Sequence, residues 1–141
     1  MTILCATRGG EHAIYAQQKA IELATERNDD IIFFYVTDVS FLNHAGAAIL
    51  VDVEAELDKM AEFLLLMAKE RAEKAGVKAD TLIEHGVFRN ALKRAAVNID
   101  ATTIVLGTPD ETSITEREFI DQLAADLHNE LGIEVVIADN P

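Results

Sequence analysis

The stretch that decides the fold is Thr102-Thr103-Ile104-Val105-Leu106-Gly107-Thr108-Pro109-Asp110-Glu111-Thr112-Ser113. It begins as a short apolar run typical of a buried strand, breaks at a glycine and a proline, and ends in hydroxyl residues that favour a helix start. Open α/β sheets bind ligands at such strand–loop–helix junctions, because free N–H groups and the positive end of the helix dipole meet there. The arrangement therefore predicts a ligand site after this strand, suited in outline to phosphate.

The loop within that stretch carries side chains that oppose a phosphate. Asp110 and Glu111 lie in the loop, Glu116 and Glu118 follow in the predicted helix, and Gly107 is the loop's single glycine. A phosphate cradle needs unhindered N–H groups. A carboxylate about 5 Å from a phosphate costs roughly 3 kcal/mol at an effective dielectric of about 20. We therefore expect a site that keeps the outline of a phosphate site but has lost its chemistry.

Length and charge indicate one acidic globular domain. The chain has 141 residues, 50% of them apolar, which suffices for a core of ordinary size. Its 12 basic and 25 acidic residues give a net charge of −13, and such a field repels nucleic acid and anionic lipid. Arg89, Lys93 and Arg94 form a small basic patch on a predicted helix, which we interpret as a solvated face. We therefore expect neither a nucleic-acid nor a membrane partner.

The apolar runs of the sequence are short. The longest, such as Ile31 to Val36, contain six residues, far below the ~20 that cross a membrane. The first residues show no basic stretch leading into an apolar signal core. We therefore expect a cytoplasmic protein.

The reactive residue types form no recognisable catalytic or metal-binding motif. Cys5, the only cysteine, lies in an apolar strand run, where a buried thiol is usual. The four histidines show neither an i,i+4 pair nor a Cys/His spacing typical of metal sites. The chain also lacks a GxSxG elbow, a GxxxxGK[ST] loop and a GxGxxG fingerprint. We therefore expect no metal, and nothing in the sequence supports catalysis.

Strand-type and helical patterns alternate along the whole chain. Short β-branched and aromatic runs predict strands, and apolar residues at helical spacing predict the helices between them. The predicted strands are Thr2–Thr7, Ile31–Val36, Lys78–Glu84, Thr103–Leu106 and Ile133–Ala138. The predicted helices are Glu11–Asn28, Asp52–Ala75, Asn90–Ile99 and Ile114–Leu131. This order predicts a single α/β domain over residues 1–141, a three-layer doubly wound parallel sheet with helices on both faces.

Two adjacent regions leave alternatives open. Residues 37–51 suit a lid, a short helix or an interface pad, and we favour a partly ordered loop that runs into a helix. The helix over 52–75 has a core stripe that includes Met60, but Phe63 and Met67 help to make it apolar on nearly all sides. Such a helix has either a wide core face or a contact with a second subunit.

The first strand and its loop carry a family resemblance. The segment Ile3-Leu4-Cys5-Ala6-Thr7-Arg8-Gly9-Gly10-Glu11-His12-Ala13 is similar to the opening of universal stress proteins. Glu84-His85-Gly86 before a short helix, and Ile104-Val105-Leu106-Gly107-Thr108 as fourth strand and turn, match that family too. The resemblance covers essentially the whole chain. It implies a five-stranded sheet in the order 3-2-1-4-5, and commonly a homodimer paired through the last strand, here Ile133-Ala138.

The same resemblance implies a candidate adenine-nucleotide site at the tips of strands 1, 2 and 4. Nucleotide-binding members of the family place an Asp after the first strand, and a G-x-x-G, nine residues and G-S/T after the fourth. Matched to that pattern, the candidate binding residues are Ala6, Thr7, Arg8, Val36, Leu106, Gly107 and Thr108. Arg8 stands where the Asp belongs and Asp110 where the second Gly belongs, while Ile120 and Asp121 replace the Gly-Ser pair. The phosphate half of the motif is therefore missing.

Three functions follow as hypotheses. The favoured one is a non-enzymatic stress-response or regulatory binding protein that needs no cofactor and acts through its dimer surface. The alternative is a sensor of an adenine nucleotide with few phosphates, such as AMP, bound through Thr7, Val36 and Gly107. A hydrolase or transferase on the same fold is a remote third.

Arg8 has two possible roles. It either pairs with Asp110 or Glu111 and closes an empty cleft, or holds the phosphate or carboxylate of a different ligand. We favour the first.

Overall fold

The computed structural model describes residues 1–7, 11–38, 46–107 and 114–138, without the side chains of residues 11, 12 and 114–116. Five strands alternate with four helices within these ranges. The strands are β1 (Thr2–Ala6), β2 (Asp30–Thr37), β3 (Ala79–His85), β4 (Ala101–Gly107) and β5 (Glu134–Ala138). The helices are α1 (Glu11–Arg27), α2 (Ala47–Lys74), α3 (Phe88–Asn98) and α4 (Ile114–Leu131). The predicted order of elements is confirmed.

The strands form one parallel sheet in the order β3-β2-β1-β4-β5, as the resemblance implied. β1 lies at its centre, with Cys5 paired to Phe33 on one side and to Val105 on the other. Every crossover from one strand to the next includes a helix, so the carboxyl ends of all strands lie at one edge. The strand order reverses between β1 and β4, which is where folds of this kind usually hold ligands.

The sheet is covered on both faces by apolar helix surfaces. One core contains Ile3, Cys5 and Phe33 with residues of α1 and α2, and the other contains Leu4 and Phe34 with residues of α3 and α4. Successive residues of β1 thus point to opposite cores, and both sets are buried, as expected for a central parallel strand. The alanines of α1 let that helix lie close to the sheet.

The helix α2 differs from its prediction in two ways. It begins at Ala47, five residues before the predicted Asp52, because the apolar residues at 47–51 continue the helical run instead of forming a loop. Met60, predicted to point inward, is 61% exposed, whereas Leu65 is 1% exposed and fills the core. Leu65 shares the inward face with small alanines of the same helix. Phe63, Leu66 and Met67 lie on the exposed side.

At the side of the sheet where the strands begin, a polar contact joins α1 to β5. Arg27 Nη1 donates to Glu134 Oε1 at 2.6 Å and to Thr103 Oγ1 at 3.2 Å. Thr103 Oγ1 also donates to Glu134 Oε1 at 3.1 Å. The hydrogen bond from Arg27 is the main reason that the pKa of Glu134 lies below its ordinary value. The three residues tie the end of the first helix to the last two strands.

No helix in the described part of the chain is both long and apolar enough to cross a membrane.

Cys5 is fully buried in the core. Burial raises the pKa of its thiol, so the thiolate that reactive cysteines need is disfavoured.

Candidate functional site

The fold brings together most of the residues that the resemblance assigned to a ligand site. Ala6 is the last residue of β1 and pairs with Leu106, and Gly107 ends the adjacent strand β4. Val36 lies one residue before the end of β2. The predicted residues Arg8 and Thr108 lie outside the described part of the chain, as do Asp110 and Glu111.

Three of these residues are buried. Ala6 and Leu106 are 5% and 1% exposed and belong to the core beneath α3 and α4. Thr7 donates to the Phe34 carbonyl twice, from its backbone N–H at 2.7 Å and from Oγ1 at 3.2 Å. Ala6, Thr7 and Leu106 therefore shape the strand ends from within, and Val36 is more accessible.

A cleft of about 400 Å³ opens beside these strand ends, between α2 and α3. Its walls combine apolar and polar side chains: Thr7, Tyr35, Val36, Thr37, Asp38, Leu57 and Phe88. Small-molecule sites commonly measure about 300–1,000 Å³ and have mainly apolar walls with a few polar groups. The sequence identified Thr7 and Val36. It missed Leu57 and Phe88, because a helix residue that faces a cleft carries the same apolar signal as one that faces the core.

The described walls of the cleft carry a negative charge. Asp38 is the one charged residue among the seven that line it, and Asp58 lies directly behind Thr37. None of the lining residues that the structure describes is a lysine or an arginine. The described walls therefore suit a neutral or weakly charged ligand better than a polyphosphate.

A polar cluster borders the cleft, and sequence reasoning did not find it. Glu54 and Asp58 lie one turn apart on α2, and His85 ends β3. His85 Nε2 lies 2.8 Å from Asp58 Oδ2 and 3.9 Å from Glu54 Oε1. Thr37 Oγ1 donates to Asp58 Oδ1 at 2.7 Å and so links this cluster to the cleft wall. Only the fold brings His85 to the carboxylates, since they are 27 or more residues away along the chain.

The cluster changes the protonation of its members. The hydrogen bond to Asp58 raises the pKa of His85 despite partial burial, and the negative charges of Asp58, Glu54 and Glu84 raise it further. Partial burial alone would raise the pKa of Asp58, but hydrogen bonds from Thr37 and His85 outweigh it and bring the pKa below its ordinary value. The electrostatic field at this point therefore favours a positive charge between the carboxylates.

The positions that should hold the Gly-Ser pair lie inside α4. The helix begins at Ile114, so Ile120 and Asp121 occupy its second turn. Ile120 is 2% exposed, and Asp121 accepts a hydrogen bond from Arg117 Nε at 3.3 Å. Backbone N–H groups are free of helical partners only over the first four residues of a helix. The N–H groups at 120 and 121 therefore have helical acceptors and are not available to a phosphate.

The basic patch of α3 is only partly the solvated face that the sequence suggested: Arg94 is exposed, whereas Arg89 and Lys93 are half-buried. Arg89 Nη2 lies 2.7 Å from Asp126 Oδ2, and Lys93 pairs with Glu130. Arg94 donates to the His85 carbonyl at 3.5 Å. Acidic residues of α4 thus neutralise most of the patch, because the two helices pack side by side on the same face of the sheet.

The fold and the cleft define a class: a doubly wound α/β protein with a small-molecule cleft at the carboxyl ends of its parallel strands. Within that class, the chain belongs to the universal stress protein family: the sequence model of that family matches residues 1–137. The family suggested by the opening of the sequence is confirmed.

Similar proteins agree with this assignment. A universal stress protein of Methanocaldococcus jannaschii is 27% identical over 140 residues, which is 99% of this chain and 82% of that protein. The crystal structure of a family member from Burkholderia pseudomallei is 26% identical, with 96% of this chain and 93% of that chain covered and a TM-score of 0.72. A family member from Arabidopsis thaliana, solved with AMP bound, is 11% identical, with 100% and 92% covered and a TM-score of 0.69. At that identity the likeness concerns the fold alone.

Proposed function

We propose that this chain is a non-enzymatic regulatory binding protein of the universal stress protein family that does not bind ATP through the family's glycine motif. The observation that carries the proposal is the position of Ile120 and Asp121 in the second turn of α4. Where the family pattern requires a Gly-Ser pair for phosphate, this chain has a buried core residue and a carboxylate. Both features oppose a triphosphate at that position.

The non-enzymatic part of the proposal rests on the chemistry of the described cleft. Its polar side chains are hydroxyls, a tyrosine and Asp38, and Thr7 uses its hydroxyl to bind the Phe34 carbonyl. A nucleophile needs an adjacent base within hydrogen-bond reach and a group that orients the base. Thr37 donates its hydroxyl to Asp58, but the pKa of that carboxylate lies below its ordinary value, so Asp58 is a weak base for an alcohol.

A second candidate function is the binding of an adenine nucleotide with few phosphates. The cleft has the volume and the mainly apolar walls of a nucleoside-sized site, and Val36 is one of the residues that line it. The Arabidopsis thaliana relative was solved with AMP bound. A ligand with one phosphate would meet less repulsion from Asp38 than ATP would.

We also propose that the chain pairs with a second copy through β5. This strand hydrogen-bonds to β4 at one side, and no other described strand lies beyond it. Its residues Val135, Val136 and Ile137 are half-buried. An edge strand of this composition presents unpaired N–H and C=O groups that suit pairing with an identical strand.

The nucleotide question is tested by thermal unfolding of tag-free protein with adenosine, AMP, ADP and ATP, each with Mg²⁺ at millimolar concentration. The main proposal expects no saturable rise in Tm with ATP. A saturable rise with adenosine and AMP but not with ATP would favour the second candidate. A saturable rise with ATP that exceeds the rise with AMP would contradict both, because it would require a working triphosphate site.

The enzymatic question is tested separately by following phosphate release from ATP over hours. We expect none above the rate without protein. Steady release that follows the protein through two different purification columns would contradict the non-enzymatic assignment.

A further inference from the structure

The cluster of Glu54, Asp58 and His85 has the composition of a metal site. One ligand atom from each residue lies within 4.8 Å of the other two. Two of the residues lie one turn apart on α2 and the third ends β3, so two elements converge on one point. Imidazole nitrogen together with carboxylate oxygen is a donor set that Zn²⁺ accepts, whereas Mg²⁺ and Ca²⁺ prefer oxygen alone.

The spacing of the donor atoms matches a small tetrahedral cation. With metal–ligand bonds of about 2.0–2.2 Å, the ligand atoms of such a site lie about 3.3–3.6 Å apart. Here Nε2 of His85 is 2.8 Å from Asp58 Oδ2 and 3.9 Å from Glu54 Oε1. The observed distances lie on either side of the ideal value. A cation therefore requires side-chain shifts of roughly half an ångström, which rotation about the side-chain bonds of Glu54 and Asp58 can provide.

The residues behind the cluster hold two of the three ligands in place. Thr37 Oγ1 donates to Oδ1 of Asp58, so Oδ2 is the oxygen that remains for a cation. Thr37 pairs with His85 in the sheet, and the N–H of Gly86 donates to the Thr37 carbonyl at 3.1 Å. Metal sites in proteins commonly have such outer partners, which orient the ligands before the ion arrives.

Exposure of the cluster permits a cation to enter. The side chains of Asp58, Glu54 and His85 are 26%, 37% and 48% exposed. The two carboxylates give the cluster a net negative charge when the imidazole is neutral, which is the form that binds a metal. The net charge of the whole chain, −13, attracts cations to its surface as well.

We propose that Glu54, Asp58 and His85 bind one Zn²⁺ ion at the rim of the cleft. Three protein ligands leave a fourth position for water. That position also suits an anionic group of a ligand held in the cleft. The Zn²⁺ proposal stands independently of the proposed function, because the three ligands bind the ion whether or not the cleft holds a nucleotide. An ion pair between Asp58 and His85 alone is the competing explanation, and it assigns Glu54 no essential role.

The experiment measures Zn²⁺ binding to tag-free protein that has been treated with a chelator and exchanged into metal-free buffer at pH 7.5. Competition with a chromophoric chelator gives the affinity and the stoichiometry. The variants are His85→Gln and Glu54→Gln. Their matched controls are His128→Gln, whose Nδ1 contacts the Ile133 carbonyl at 3.1 Å, and Glu56→Gln, an exposed carboxylate on the same helix.

We expect one Zn²⁺ per chain in the wild type and in both controls. Each of the two cluster variants should bind at least about ten-fold more weakly. A Co²⁺-loaded sample should show visible absorption typical of four-coordinate cobalt, and this absorption should disappear in Glu54→Gln. The hydroxyl of Thr37 donates to Asp58 and not to Glu54, so Glu54→Gln leaves that structural contact intact. This variant therefore remains informative even if His85→Gln fails to fold.

Three results would overturn the proposal. One is a wild type that binds no Zn²⁺ at a free concentration of 100 times the chain's. Another is binding that His128→Gln weakens as much as His85→Gln. The third is binding that survives Glu54→Gln unchanged, which would leave only the ion pair of Asp58 and His85.

Discussion

Arg27 at the end of α1 and Glu134 at the start of β5 are joined by a 2.6 Å ion pair, although 107 residues separate them in sequence. Thr103 of β4 bonds to both side chains. The contact connects the helix that follows the central strand to the edge of the sheet where we propose that a second copy binds. It also gives the stability of the domain a defined dependence on pH.

The ion pair predicts a loss of stability in acid. The pKa of Glu134 is lower in the folded chain than its ordinary value of 4.5, so the unfolded chain binds more protons at low pH. The stabilising contribution is therefore fully present above about pH 4.5 and disappears as the pH falls through the folded pKa. Glu134→Gln should lower the urea midpoint at pH 7, and the difference from wild type should shrink at pH 3. Equal differences at the two pH values would contradict this assignment. Glu22→Gln, which removes an exposed carboxylate of α1, is the control.

The buried face of α4 predicts a large effect of a core truncation. Leu123 is 0% exposed and lies among residues of α3 and β4. Leu123→Ala should reduce the free energy of unfolding by about 2–5 kcal/mol, because it leaves a cavity in a close-packed core. Phe119 on the same helix is 46% exposed, and Phe119→Ala should cost much less. Urea unfolding followed by circular dichroism measures both, and equal costs would show that the helix packs with a different face.

The hydrogen bond from Thr37 to Asp58 predicts an indirect effect on Zn²⁺ affinity. Thr37→Val keeps the shape of the side chain but removes the donor that orients the carboxylate. We expect affinity to fall about 10–100-fold, the range typical for outer partners of metal ligands. Thr25→Val is the control, because the Thr25 hydroxyl bonds only to the Ile21 carbonyl of its own helix among the contacts described. Unchanged affinity in Thr37→Val would mean that Asp58 needs no orienting partner.

The carboxylate of Asp38 should affect the affinity of the cleft for AMP more than its affinity for adenosine. If it repels phosphate, Asp38→Asn should improve the binding of AMP more than the binding of adenosine, because only AMP carries the charge. Thermal shift or isothermal titration measures the two affinities. Asp80→Asn, at the amino end of β3, is the control that changes net charge equally. An equal change for the two ligands would place the phosphate away from Asp38.

If two copies pair through β5, a charge placed on this strand should change the oligomeric state. Val136 is half-buried on this strand, and Val136→Lys introduces a charge of the kind that natural sheets use to prevent pairing at an edge. Size-exclusion chromatography with light scattering should report a dimer for the wild type and a monomer for the variant. Val97 on α3 is 58% exposed, and Val97→Lys should remain dimeric. A wild type that is monomeric at micromolar concentration would contradict the proposed pairing.

The fold was predictable from the sequence because each element shows its own period and lies next to a turn. The bounds of α4 agree with the prediction at both ends. Met60 and Leu65 show the limit of that approach. Both are large and apolar and lie on a helix that is apolar nearly all round, so the sequence does not reveal which one meets the sheet.

The site was less predictable, for a different physical reason. Ala6, Val36 and Leu106 were named because the family resemblance assigned a site to the strand ends, and the parallel sheet places those ends at one edge. The polar cluster was missed because His85 has its partners on another element, and a search along the sequence sees only local spacing. The pairing of Arg89 with Asp126 was missed for the same reason, since it depends on two helices lying side by side.

The central position of β1 has a consequence for folding during synthesis on the ribosome. This strand is made first, yet its two neighbours pair with it through segments that begin at Asp30 and Ala101. At synthesis rates of about 5–20 residues per second, one side of the strand stays uncovered for roughly 5–20 s. A nascent chain that stops short of Ala101 therefore exposes an unpaired apolar strand to chaperones and proteases, and the strand is covered only once β4 has been made.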